Sequence, residues 1–365
     1  MYTEILKIIE GGLGKDPKKV KSFAKLLAEK LTKDGDTKMA KMIVDLIEKN
    51  KTLNSVSLDE LVNSPVDQES RLNIVDLYMP ENEIPQLIFD RHTENKINDF
   101  VNGVKHRKQL MSAGLEPQST LLLYGLPGGG KTSVAKLIAH LTGLPLVIAR
   151  FDAIVSSLLG NTAKNIRKIF EFADRKPCIL FLDEFDAIAK ARDDQYELGE
   201  LKRVINSLLQ NIDLFTKNNV LIAATNHPEL LDKAIWRRFN TVIEIGKPSE
   251  NEIHNLLDLF VKQHKSEVLA DKKKTEKLVK LFNGKTPSDI KVILNNAISH
   301  AIIHKGGKLN YEDILVSIFE FDNHGSTTME KLIEFLNSNG IGQATIADYL
   351  NISMRQIRNV IYKES

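Results

Sequence analysis

Residues 120–136 read Thr-Leu-Leu-Leu-Tyr-Gly-Leu-Pro-Gly-Gly-Gly-Lys-Thr-Ser-Val-Ala-Lys, and no other stretch constrains the fold as tightly. Leu121 to Tyr124 predict a short buried strand, Gly125 to Gly130 a tight loop, and Lys131 the first turn of an amphipathic helix. Gly125, Gly130, Lys131 and Thr132 satisfy G-x-x-x-x-G-K-[ST], the phosphate-binding loop. Each part has a job. Unpaired N–H groups at the helix start point at anionic oxygens, and glycines let the backbone close around a phosphate with no Cβ in the way. Lys131 is a point charge for the β- and γ-phosphates, and the Thr132 hydroxyl is a Mg²⁺ ligand. Gly125, Pro127, Gly128, Gly129, Gly130, Lys131, Thr132 and Ser133 form the expected nucleotide-binding set.

After that loop, apolar runs alternate with helical stretches as far as residue 246. The expected strands are Leu121–Tyr124, Leu146–Phe151, Ile179–Leu182, Val220–Ala224 and Val242–Ile245. They are continuously apolar, as in a parallel sheet covered on both faces. The fold class is therefore α/β, a doubly wound parallel five-stranded sheet with ligands at the carboxyl ends of its strands. The third strand ends in Asp183-Glu184. An acid pair there is costly unless it meets a cation or substrate. Asp183 is the expected Mg²⁺ ligand, and Glu184 the base that polarises the attacking water. Asp186 reads as a helix cap. The fourth strand runs into Thr225-Asn226, and Asn226 can hold the water or the γ-phosphate. A turn-forming Asn before His227-Pro228 is the weaker alternative.

At 365 residues the chain predicts two or more domains, and a hydrophobic fraction of 42 % supports real cores. The net charge of +2 says little about partners. A single cysteine, Cys178, excludes a disulfide framework and fits a reducing compartment. The amphipathic start holds acids and a lysine, unlike a signal peptide, and no apolar run approaches the ~20 residues of a membrane span. The expectation is a soluble, cytoplasmic protein.

Residues 85 to about 320, about two thirds of the chain, resemble the AAA branch of the AAA+ ATPases. Gly125–Thr132 is similar to the family's G-P-P-G-T-G-K-T, departing at Leu126 and Gly129. Phe181-Leu-Asp-Glu-Phe-Asp-Ala-Ile188 is similar to its Walker B segment, Arg203-Val-Ile-Asn-Ser-Leu-Leu209 to its second-region helix, and Ala224–Asp232 to its sensor-1 segment. The resemblance implies ATP and Mg²⁺ as cofactors and ATP hydrolysis as the activity. Arg237 and Arg238 fall where the family carries arginine fingers, which act on a neighbour's nucleotide and imply a homo-oligomeric ring, usually a hexamer. Two departures matter. In the pore-loop stretch Leu158 replaces the aromatic and Asn161 the acid, which argues against processive threading. Ser288 occupies the lid position where other AAA+ branches place an arginine. H-E-x-x-H is absent from the sequence, so no fused zinc protease is expected. An N-terminal helical domain before such an ATPase also resembles a bacterial group often encoded beside subtilisin-like proteases, which suggests a protease or another folded protein as client.

The expected organisation is a helical domain at 1–60, a linker at 61–84, the nucleotide-binding α/β domain at 85–248, a helical lid at 249–322 and a last module at 326–365. The first domain shows three apolar stripes (Ile5, Leu6, Ile8 and Ile9; Val20 to Leu31; Met39 to Ile47) with lysine-rich outer faces. Those faces read as solvated surface or as a docking module. His300 and His304 could bind a metal, but read more simply as cations near a helix end. Gly325 to Thr328 suggest a hinge. Beyond it Gln343-x-x-Ile-Ala-x-x-Leu-Asn-Ile-Ser-x-x-x-Ile357 resembles a helix-turn-helix, with Asn351 at the left-handed turn and Ser353 as cap. Its second helix presents Met354, Arg355, Gln356, Arg358, Asn359 and Lys363, suited to double-stranded DNA; a protein-docking module is the alternative.

Overall fold

The computed structural model of the chain describes residues 2–13, 17–33, 36, 39–44, 74–80, 84, 86–150, 159–187, 198–216, 219–325 and 328–362. Two compact units divide it, Met1–Pro65 and Val66–Ser365.

In the first unit α1 (Tyr2–Leu13) and α2 (Pro17–Lys33) pack against each other, and residues 39–44 are helical. Ala28 and Ala40 are buried, whereas Leu6, Ile9, Leu26, Met39 and Met42 are exposed. The first and third apolar stripes are thus largely open among the described residues, whereas Val20, Phe23, Ala24, Leu27 and Leu31 of the second are half-buried.

The second unit is built on a sheet whose five expected strands are all present and parallel. They are β2 (Thr120–Tyr124), β3 (Leu146–Arg150), β4 (Ile179–Asp183), β5 (Val220–Thr225) and β6 (Thr241–Glu244). The count of five is corrected to six. β1 (Val75–Tyr78), from the stretch expected to be linker, pairs antiparallel with β3 and places Tyr78 opposite Leu146. The order is β1-β3-β4-β5-β2-β6. Only Val75 of this edge strand is buried, so its sequence carries no apolar run.

Both faces of the sheet are covered. Leu121, Leu123, Phe181 and Ile222 share a core with α3 (Arg91–Lys105) and α5 (Lys131–Thr142). Their strand neighbours Leu122, Leu180 and Leu221, pointing the other way, are equally buried. On that side α6 (Leu159–Ala173) reaches β4 and α7 (Leu198–Phe215) reaches β5; Phe170 and Phe215 meet edge to face at 5.5 Å. Asp90 caps α3 by accepting from the His92 and Thr93 N–H groups, and α4 (Arg107–Ser112) follows.

After a one-turn helix α8 (Lys233–Trp236) and β6, the chain becomes helical. α9 (Glu250–Val261) starts at a Ser249/Glu252 capping box, α10 (Lys272–Phe282) at Asp271, and α11 (Pro287–His304) at a Thr286/Asp289 box with proline in its first turn. A two-residue pair, β7 (Lys265–Ser266) with β8 (Lys308–Leu309), ties the connections before α12 (Tyr311–Asp322). Three more helices follow, α13 (Met329–Ser338), α14 (Gln343–Leu350) and α15 (Met354–Ile361). They do not stand apart. Ile333, Leu336, Ile346 and Ile357 belong to the same buried cluster as Ile290, Leu294 and Ile314 of α11 and α12. No helix among the described residues is long and apolar enough to cross a membrane.

Candidate functional site

The sheet brings the expected residues together at one end. β2 delivers the glycine loop, and its neighbour β5 delivers Asn226 one residue beyond the strand. β4 ends on Asp183. The loop backbone is one that glycine alone tolerates: Gly125 has φ +142°, and a Cβ on it would lie 2.1 Å from the Ile245 carbonyl oxygen. Gly130, at φ +100°, precedes the first residue of α5.

Lys131 is 7 % exposed, and its Nζ donates to the Gly125 and Leu126 carbonyls at 2.9 Å each. Burial pulls its pKa below the ordinary lysine value, while Asp183 and Asp186 oppose that fall. The Thr132 hydroxyl donates to Asp183 Oδ2 at 2.9 Å. A hydroxyl and a carboxylate side by side at an anion-binding loop fit Mg²⁺, which takes oxygen ligands and shares its shell with water and substrate phosphates. Thr132 and Asp183 are the residues that would hold it. Glu184 follows with φ +52°, a left-handed backbone that costs non-glycine residues of order 1–3 kcal/mol. Its N–H donates to Asp183 Oδ1 at 3.0 Å, its side chain is exposed, and the Phe185 N–H returns to the Ala224 carbonyl of β5.

Asp186, read from the sequence as a helix cap, is 2 % exposed and ties the two strand ends together. Its Oδ1 accepts from Thr225 Oγ1 at 3.0 Å and from the Asn226 N–H at 3.2 Å. It therefore sets where Asn226 stands. Its spacing after the acid pair was the only sequence signal.

A cleft of about 1240 Å³ runs from this end of the sheet to the helices beyond. Pro127 to Ser133, Asp183, Glu184 and Asn226 line one side. Gly125 does not line it; it makes the turn beneath. On the opposite side, the sequence pointed only to Ser288. Leu256 and Phe260 of α9 and Ser288 and Lys291 of α11 face the loop, and residues 86–89 close one end. The contact is direct: the Ser288 N–H donates to the Gly128 carbonyl at 3.2 Å, and a Cβ on Gly128 would sit 2.7 Å from Thr286 Oγ1.

Arg237 and Arg238 lie outside the cleft, and the structure separates them. Arg238 donates through Nε and Nη2 to the two Asp213 carboxylate oxygens at 3.3 Å each, and through Nη1 to the Ala234 carbonyl. Arg237 is exposed, and its guanidinium makes no hydrogen bond or ion pair among the described residues. Ser156, Ser157 and Leu158 of the pore-loop stretch lie outside the described residues, as do the side chains of Asn161, in the first turn of α6, and Arg203. The His300 and His304 rings lie 4.8 Å apart and tilted, and no group of three or more metal-binding side chains occurs among the described residues.

Comparison with known proteins agrees with this geometry. Residues 121–247 match the profile of AAA, the ATPase family associated with various cellular activities. The chain is 41 % identical over 194 residues to the AAA family ATPase y4kL of Sinorhizobium fredii, covering 53 % of this chain and 59 % of that one. It is 35 % identical over 212 residues to the proteasome-activating nucleotidase of Methanothermobacter thermautotrophicus, covering 56 % and 51 %. It is 33 % identical over 228 residues to the ATP-dependent zinc metalloprotease FtsH 3 of Symbiobacterium thermophilum, covering 60 % and 36 %. The chain spans between about a third and three fifths of the length of these curated relatives. It carries an AAA ATPase domain, whose cofactors are ATP and Mg²⁺.

Proposed function

We propose that the chain hydrolyses ATP to ADP and phosphate in a homo-oligomeric ring, a hexamer, and uses the cycle to remodel or regulate a bound protein, with a subtilisin-like protease among the candidate clients. The observation that carries the reading is the Thr132–Asp183 contact, with Glu184 next in the chain and Asn226 across the strand gap, all on one cleft. Mg²⁺, when bound, neutralises phosphate charge. The chain does the rest. The loop N–H groups and Lys131 hold the phosphates, Asn226 orients the water, and the exposed Glu184 carboxylate accepts its proton. Arg237 serves a neighbouring subunit's nucleotide. Names of relatives that activate proteasomes or degrade proteins support a protein client.

The test pairs nucleotide binding with turnover. Glu184→Gln binds ATP with wild-type affinity and turns over at least about 100-fold more slowly; Lys131→Ala loses binding. Normal hydrolysis by Glu184→Gln overturns the base assignment.

A second reading rests on α15. Ser353 caps it with a box to Gln356, Asn351 turns into it at φ +53°, and Arg355, Gln356, Arg358 and Asn359 are exposed with no acid in the helix. This supports a helix-turn-helix directed at double-stranded DNA.

A further inference from the structure

The sequence suggested a hinge before the last three helices, and the packing suggests a lever. α11 begins at the phosphate loop, where the Ser288 N–H meets the Gly128 carbonyl, and Lys291 and Asn295 line the cleft along its next two turns. Its far end reaches the C-terminal helices. There Asp313 of α12, its side chain fully buried, accepts from Lys305 Nζ at 2.7 Å and from the Tyr349 hydroxyl of α14 at 2.9 Å. Lys305 Nζ also stands 3.7 Å over the Tyr349 ring. Three further contacts close the joint. Phe319 of α12 packs on Phe335 of α13 at 5.1 Å, Lys277 of α10 donates to the Asn339 carbonyl at 3.1 Å, and α13 and α14 bury apolar side chains in the lid core.

We propose that α9 to α15 move as one body, and that the exposed face of α15 is a duplex-DNA contact whose spacing between neighbouring subunits is set by the nucleotide in the cleft. The proposal rests on the ring and DNA readings above. A nucleotide touches both walls of the cleft, so it favours one angle of α11 over others. Because α15 is fixed to α11, that angle sets where each copy's Arg355 and Arg358 point. A duplex of one helical turn engages one recognition helix; a longer one bridges copies and gains avidity only when their spacing matches. Linkage then runs both ways, from nucleotide to DNA and back.

Fluorescence anisotropy of the full chain tests this with labelled mixed-sequence duplexes of about 12 and about 40 base pairs, at low salt, with ADP and then with a non-hydrolysable ATP analogue. The short duplex should bind equally in both states, and the long one should differ by at least about fivefold. Arg355→Ala with Arg358→Ala, confirmed folded by circular dichroism, should weaken both by about tenfold or more and lower the salt slope by up to about 2. Equal long-duplex affinity in both states overturns the coupling and leaves the DNA face standing. No binding to either duplex, or wild-type binding by the double variant, overturns the DNA face. Hydrogen exchange separates these failures. Protection in α13–α15 that rises with α11 on adding nucleotide supports the single body, and protection changing in α11 alone overturns it. A chain that sediments as a monomer with the analogue overturns the ring on which the coupling depends.

Discussion

Asp313→Ala tests the joint between lid and C-terminal helices by its energy. The carboxylate accepts from Lys305 Nζ, from the Tyr349 hydroxyl and from the Asn310 N–H at 2.9 Å, and His300 Nδ1 lies 3.4 Å away. Burial, reinforced by Asp313 itself, pushes the Tyr349 phenol well above its ordinary pKa, so it remains a donor. Truncation leaves that half-buried hydroxyl and the half-buried Asn310 N–H without their acceptor. Lys305, 27 % exposed, turns partly to solvent and recovers some hydration. Removing one partner of a buried ion pair costs about 3–5 kcal/mol, and the escape of Lys305 places this case near the lower end. With a urea slope of about 2 kcal/mol per molar, the midpoint should fall by roughly 1.5–2 M. Two probes localise the loss. Trp236, the only tryptophan, reports the α/β domain, while far-UV ellipticity weighs the helices of the lid and beyond. The ellipticity midpoint should fall further than the Trp236 midpoint. Asp313→Asn keeps one oxygen and loses the charge, and should fall about half as far. A shift under about 0.5 M for Asp313→Ala, equivalent to about 1 kcal/mol, refutes the reasoning, because a buried three-donor acceptor cannot be removed so cheaply.

Arg237→Ala should lower turnover by about 10³ or more with nucleotide affinity unchanged, measured by steady-state hydrolysis beside equilibrium binding; intact turnover in Arg237→Ala with Arg238→Ala means no finger acts in trans. Tyr311→Phe should raise the ellipticity midpoint by the equivalent of about 1 kcal/mol, because the Tyr311 hydroxyl is buried with no hydrogen-bond partner among the described residues and phenylalanine keeps the ring beneath Lys274; a fall in midpoint counts against it. Cys178 should resist iodoacetamide in the native protein at pH 8 and react on unfolding, since burial pushes its thiol up to about 12 and its Sγ donates to the Ala173 carbonyl.

What the sequence made legible was what lies close along the chain. The phosphate loop, the acid pair and Asn226 each follow a continuous apolar strand, and a parallel sheet brings strand ends together whatever the loops do. β1 escaped because four residues with one buried side chain make no run. Asp186 escaped because its partners, Thr225 and Asn226, are 39 and 40 residues away. Arg237 and Arg238 read alike until Asp213, 25 residues before Arg238, distinguished them.

Apart from Ser288, the lid half of the cleft was hidden for a different reason. Periodicity says that a helix face is apolar, and is silent about what covers it. α11 is the extreme case. Ile290, Ile293, Leu294, Ala297, Ile298 and Ala301 are all buried, yet α9, α12 and the cleft share that surface among them. Gly325 does mark a turn, at φ +73°. A turn, however, fixes only where a helix stops. Whether the next helix swings free depends on what its buried face meets. Here Phe335 meets Phe319, and Tyr349 reaches the Asp313 carboxylate oxygen that the Asn310 cap leaves over. Asp313 reads in sequence as an ordinary first-turn acid, and it serves as one by capping α12 at Asn310. Its second task, holding a helix from beyond the apparent hinge, exists only once α14 has folded back. That is why the lid and the last module suggested by the sequence share one buried cluster.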